Sequence, residues 1–193
     1  MSKALKKDAT YADLRTVPDN FVAEILGGEL YASPRPASPH ARAAHRLGFE
    51  LTGPFEVGQN GPGGWWFLSE PELHFGADVV VPDIAGWRRE RMPVMPAVAH
   101  FTLAPDWLCE VLSPSTKAID RRKKLPIYAR AGVAHAWLVG PLQQTLEVLR
   151  LESERWSSVA THKADAKVRA EPFDAIELEI GRASCRERVL YTV

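Results

Sequence analysis

Asp83 and Glu110 are the side chains of this sequence best placed to do chemistry. Asp83 ends the run VVVPD (79–83), and Glu110 is the one charged residue inside WLCEVL (107–112). A carboxylate set within or against an apolar strand is unfavourable unless a counter-charge meets it, and a divalent cation is a natural partner. A third charge follows in DRRKKLPIYARAGV (120–133), where Asp120, Lys124 and Tyr128 recur at a spacing of four and share one helix face. Two carboxylates and a lysine converging on one point form a minimal set for metal-assisted phosphodiester hydrolysis. In that chemistry Asp83 and Glu110 hold one or two Mg²⁺ ions, with Mn²⁺ as the substitute. Water and a backbone carbonyl such as that of Val111 complete the shell. Lys124 then faces the attacking water and the negative charge that develops.

Each residue also has a plainer reading. Asp83 alone is a turn aspartate, although Pro82 pushes Val81 to an extended conformation and predicts a strand running straight to the carboxylate. Glu110 could point out of a half-solvated sheet, but Trp107 and Leu108 beside it favour burial on both faces. Asp120 and Lys124 could form an exposed ion pair of small energetic value. In the sharper reading Asp120 aims Lys124 at Glu110. Pro126 removes a hydrogen bond to the Arg122 carbonyl and should bend this helix. Lesser candidates are Glu24, Glu29, His40, Glu72 and Ser113. Glu29 is expected near the helix that opens at His40, Glu72 as an added metal ligand, and Ser113 as a helix cap.

The elements that must position these groups follow from periodicity. Thr10 caps a short helical turn, and VAEILGGELYASP (22–34) reads as a hairpin turning at Gly27-Gly28. HARAAHRLGFELTGPF (40–55) carries Ala41, Ala44, Leu47 and Leu51 at helical spacing. WWFLSEPELHF (65–75) and ADVVVPDIAGW (77–87), separated by one glycine, are expected to pair with each other. RRERMPVMPAVAHFTLAP (88–105) is a proline-rich irregular connection, and DWLCEVL (106–112) a buried strand. A helix to about Ala131 ends at Gly132, AHAWLVG (134–140) and QTLEVLRLE (144–152) form two more strands, and EPFDAIELEI (171–180) a last one. This order gives an α/β or α+β sandwich with a helix on the sheet.

At 193 residues, with 46% hydrophobic and 25% charged, one domain is expected over 10–179, after a flexible 1–9. IGRASCRERV (180–189) matches nothing before it and reads as the translation of a sequencing adapter, so 180–193 is left out of fold reasoning as a non-native tail. Setting aside Arg182, Arg186, Arg188 and Glu187 takes the balance from 24 and 24 to 21 positive and 23 negative. That balance excludes a general polyanion binder with a large positive field. A local basic strip remains available in Arg88, Arg89, Arg91, Arg121, Arg122, Lys123 and Lys124, most of them equally readable as solvated surface residues. Cys109 and Cys185 offer neither a disulfide framework nor zinc spacing. No run is long enough to span a membrane and MSKALKKDATYADL has no signal-peptide stretch, so a cytoplasmic protein is expected.

SPSTKAIDRRKKLPIYARAGVAHAWLV (113–139) resembles the signature stretch of the bacterial putative restriction endonuclease family of the PD-(D/E)xK nuclease superfamily. The likeness extends through PDIAGW (82–87) and PDWLCEVL (105–112), and more loosely to EILGGELYASPRPASPHARAAHRL (24–47), covering most of 10–180. It implies a restriction-endonuclease-like central mixed sheet flanked by helices and a metal-dependent endonuclease acting on DNA. Asp83 matches the aspartate of the PD element and Glu110 the acid of the second half-motif. Leu112 stands where the superfamily usually has lysine, and Lys124 on the following helix is the matching lysine. Gly27-Gly28 and Val139-Gly140-Pro141 are two further departures. A homodimer is expected if both strands are cut. The second reading is a catalytically inactive nucleic-acid-binding or regulatory module, favoured by Leu112 and the lack of basic surface. A third is a structural scaffold.

Overall fold

The computed structural model of the chain describes residues 4–163 and 166–179, so the tail from residue 180 lies outside the described residues. In chain order the first elements are β1 (Lys6–Lys7), α1 (Tyr11–Leu14), β2 (Phe21–Leu26), β3 (Glu29–Pro34) and α2 (Ser38–Leu51). Next come β4 (Trp65–Ser69), β5 (Leu73–Phe75), β6 (Asp78–Val80), β7 (Ile84–Arg88) and β8 (Trp107–Val111). The remainder is α3 (Lys117–Ile119), α4 (Leu125–Arg130), β9 (His135–Gly140), β10 (Thr145–Glu152), β11 (Arg155–Lys163), β12 (Lys167–Val168) and β13 (Leu178–Glu179).

These strands make two main sheets. A five-stranded sheet runs β1-β3-β2-β6-β5 and a six-stranded sheet runs β11-β10-β9-β8-β7-β4, with β12-β13 as a separate small pair. All neighbours are antiparallel except β8 and β9, which are parallel and joined through α3 and α4. The result is a mixed α+β fold with helices against a central mixed sheet, as expected. The segments 65–75 and 77–87 pair with each other as expected, but the pairing is divided between the sheets: β5 pairs with β6 in one and β4 with β7 in the other. The chain changes sheets between Val80 and Ile84. The strand therefore does not run straight to Asp83, which instead stands one residue ahead of β7.

Local chemistry explains several boundaries. Thr10 caps α1 in a reciprocal capping box with Asp13. Gly27 and Gly28 have φ of 63° and 76°, the left-handed pair that a two-residue hairpin turn between β2 and β3 requires. The buried stripe of α2 is Ala43, Leu47 and Leu51, with Ala44 beside it and Ala41 exposed. Gly140 closes β9 where an added Cβ would stand 2.6 Å from Thr145 Oγ1, so a larger residue would require that side chain to shift. The expected strand over 171–180 is reduced to β13, because a turn around Phe173 takes the preceding residues. β11 escaped the sequence reading because RWSSVATHK lacks clean alternation: most of its positions are exposed or half-buried at the sheet edge.

Every residue of β8 is buried, so the six-stranded sheet is covered on both faces. On one face Trp107, Cys109 and Val111 meet Trp65, Trp137, Phe55, Phe173 and the α2 stripe. On the other, Leu108 packs with Ala136, Leu138, Leu125, Tyr128 and residues of the first sheet. Phe173 is the hub of the first face. Its ring lies 4.7–5.6 Å from those of Phe55, Trp65, Trp107, Trp137 and Phe67, tilted or edge to face. Such pairs add to the burial of a fully enclosed ring. Phe173→Ala is therefore expected to lower unfolding free energy by about 3–5 kcal/mol, read from urea denaturation of the two proteins.

Candidate functional site

The site forms where the two sheets meet. Glu24 comes from β2, Asp83 from the crossing before β7, Glu110 from β8, His40 from α2, and Lys124 from the helical segment after β8. Ile84 pairs with Cys109, which sets Asp83 across from Glu110 on neighbouring strands. A cleft of about 330 Å³ opens over them, lined by Arg35, His40, Asp83, Glu110, Asp120 and Lys124 among others.

The helical segment explains the aim of Lys124. Between α3 and α4, residues Asp120–Lys124 form a wide π-type turn, a feature often found at functional positions. α4 then restarts with Pro126 in its first turn, where a missing N–H needs no partner. The expected bend thus takes the form of a widened turn ahead of the proline. Ser113 caps the approach, accepting from the Thr116 N–H at 3.1 Å.

Lys124 is 3% exposed, Glu110 2%, Asp120 5% and Glu24 8%. The Lys124 ammonium lies 2.8 Å from Glu110 Oε1 and 3.0 Å from Glu24 Oε1, and it donates to the Val81 carbonyl at 2.9 Å. Three donors meet three acceptors. Burial alone would lower the Lys124 pKa, but Glu110 and Glu24 outweigh it and hold the ammonium well above its ordinary value. Asp120 does not fix Lys124 by an ion pair as expected. Its carboxylate accepts from the Thr116 side chain, and burial raises its pKa to about 6.

Glu110 is pushed well up by burial, with Lys124 pulling the other way. The Tyr128 hydroxyl donates to Glu110 Oε1 at 2.5 Å, and burial followed by Glu110 keeps that phenol protonated. Asp83 Oδ2 accepts the Val111 N–H at 2.7 Å and lies 3.4 Å from His40 Nε2. Burial disfavours the charged form of His40, yet Asp83 beside it raises the pKa overall. Among the described residues His40 Nδ1 is buried without a hydrogen-bond partner.

Asp83, Glu110, Val111, Lys124, His40 and Asp120 therefore come together, and two other candidates do not. Glu29 sits away from the cleft, accepting from Tyr31 at 2.8 Å and from Lys123 at 3.0 Å. The additional acid in the cleft is Glu24, which obeys the logic that singled out Glu110: a lone charge in an apolar strand, FVAEIL. Glu72 lies outside the cleft lining, bonded to Tyr11 and His74. Tyr128 was visible only as a spacing, because a buried tyrosine has no sequence mark for its hydrogen-bond partner. Most of the basic strip is engaged in structure. Arg88 and Arg89 lie over Trp65 and Trp66, Arg91 pairs with Asp106, Arg121 with Glu147 and Lys123 with Glu29.

The donor set fits a hard divalent cation. Among the described residues these hydrogen bonds and ion pairs use Glu110 Oε1, Asp83 Oδ2 and Glu24 Oε1, so the second oxygen of each carboxylate is the one a ligand would take. Carboxylate and carbonyl oxygens with water suit Mg²⁺.

A crystal structure of a putative nuclease belonging to DUF820 from Anabaena variabilis ATCC 29413 is similar to this fold. The likeness spans 91% of this chain and 97% of that one, with a TM-score of 0.71 and 23% identity. No curated protein sequence matches the chain. Among the described residues no helix is long and apolar enough to cross a membrane. Residues 8–181 match the Uma2 family, described as putative restriction endonuclease, and the chain belongs to that family.

Proposed function

We propose that this nuclease-family chain is a Mg²⁺-dependent endonuclease that hydrolyses DNA phosphodiester bonds in the cytoplasm, with Asp83, Glu110 and Lys124 as its catalytic residues. The observation that carries the reading is the register that sets Asp83 beside Glu110, with the buried Lys124 ammonium 2.8 Å from Glu110. Family membership supports nucleolytic chemistry. Asp83 and Glu110 would hold the metal with the Val111 carbonyl, and the bound ion supplies Lewis-acid polarisation of the phosphate and a more acidic water.

The chain's own groups do the rest. Lys124 stays protonated, so it acts as a fixed positive charge and donor rather than as a base. Exchanging its bond to the Val81 carbonyl for a phosphate oxygen would place that charge where negative charge develops. Tyr128 orients Glu110 by its bond to Oε1, and the Val111 N–H does the same for Asp83 through Oδ2. Glu24 shares the ammonium with Glu110 and keeps Lys124 from swinging away. The Leu112 position that lacks lysine does not argue for an inactive module, because Lys124 reaches the same carboxylate from the helix.

Supercoiled plasmid incubated with protein and Mg²⁺ is expected to be nicked, with activity lost in Asp83→Ala and Glu110→Ala. Equal nicking by all three proteins would count against the assignment. Lys124→Gln should lower the rate by about 10²–10³-fold. It should also lower unfolding free energy by about 3–5 kcal/mol, since it leaves buried carboxylates without their cation. Activity is therefore compared at a temperature where circular dichroism shows the variant folded.

The charge balance also predicts a pH dependence. An acid raised from 3.8 to about 6 on folding binds more protons folded than unfolded between those values, so its contribution to stability falls as pH rises through that window. Asp120→Asn is expected to stabilise the metal-free protein at pH 7 by up to about 3 kcal/mol. The advantage should shrink as pH is lowered from about 6 towards 3.8, measured by denaturation at each pH. A gap that widens on acidification would show that Asp120 is stabilising in its ionised form.

A further inference from the structure

Glu72, His74 and His100 lie outside the cleft and have no part in the chemistry described above. A carboxylate oxygen and one nitrogen from each imidazole lie within 4.8 Å of one another. We propose that these three residues form a second metal site, one for Zn²⁺ or a similar nitrogen-preferring transition ion. This inference does not rest on the nuclease reading.

The donor chemistry selects the ion. Two imidazoles and a carboxylate are a common three-ligand set for zinc, with water completing the shell. Imidazole nitrogen favours transition ions, whereas the all-oxygen set of the cleft favours magnesium. The two places therefore differ in the metal they would take.

Backbone pairing holds the ligands in place from segments far apart in sequence. The Phe101 N–H donates to the Glu72 carbonyl and the His74 N–H donates to the Phe101 carbonyl, each at 2.9 Å. Leu73 and Phe101 form a parallel bridge, and both side chains are buried. His74 and His100 flank this anchored point, and their rings stack with centroids 4.0 Å apart and planes 14° from parallel. One nitrogen of each ring lies within 4.8 Å of the other and of a Glu72 carboxylate oxygen.

Outer support is present as well. The Tyr11 hydroxyl donates to Glu72 Oε1 at 2.9 Å, and its ring meets His74 edge-on at 5.0 Å. Hydrogen bonds of this kind orient a ligating carboxylate. Glu72 Oε1 and His74 Nε2 are 2.6 Å apart, so two of the three ligands are already in contact. His100 is exposed and the other two are half-buried, so the ion has a route in. A bound ion would tie α1, β5 and the 89–106 connection together.

The test follows melting temperature and calorimetric binding after chelator treatment, with Zn²⁺ and Mg²⁺ added separately. The expected result is one Zn²⁺ equivalent bound by wild type and by Asp83→Ala/Glu110→Ala, with a rise in melting temperature. His100→Ala and His74→Ala should weaken Zn²⁺ binding at least about tenfold and remove that rise, and Tyr11→Phe should weaken it less. Because His100 is exposed, its variant is expected to fold, and its response to Mg²⁺ should match wild type. Equal Zn²⁺ responses in wild type, His74→Ala and His100→Ala overturn the proposal, as does absence of a Zn²⁺ response in wild type. Failure of the Mg²⁺ arm alone would strike only the nuclease reading.

Discussion

The Lys124 ammonium is the interaction on which the arrangement of this protein turns. It is buried, and its three donors are divided among a carboxylate from each main sheet and the carbonyl that begins the crossing between them. Removing such a group from water is unfavourable by several kcal/mol, and it is tolerated only because its acceptors are already held in place. The same contact lets Glu24 and Glu110 remain in an apolar setting. One cation thus serves as the electrostatic joint between two layers. The position that supports the fold is also the position where substrate charge would have to be met.

The buried charges were more legible in the sequence than the sheet each strand joins. A charge inside an apolar strand is conspicuous because burial makes it expensive, and that rule singled out Glu110 before any geometry was known. Applied evenly it also reaches Glu24, whose importance became clear only when β2 was placed against the crossing. Sheet membership was harder. Two alternating runs with one glycine between them look like a hairpin, and nothing local says that the strands divide between two sheets. Glu29 and Glu72 were separated from the site for that reason: strand positions are local, but the layer they join is decided by long-range packing. The edge strand β11 was missed because half-exposed positions dilute the period-two signal.

The Phe173 hub shows how the later part of the described chain contributes. A segment with little regular secondary structure carries one aromatic ring into the space between α2 and the six-stranded sheet. Its value lies in shape, with five surrounding rings meeting it mostly edge-on. This packing covers the face of β8 opposite Glu110. The strand bearing the acid is therefore braced from behind by hydrocarbon and approached from the front by charge.

The crossing from Val81 to Asp83 has a consequence for tolerance to change. Val81 accepts from the ammonium and Asp83 presents its carboxylate, with only a proline between them. Covalent bond lengths therefore set the distance between those two functions, and no rearrangement of neighbouring side chains can restore it once altered. Adding or deleting a single amino acid at this tripeptide would misalign both partners at once.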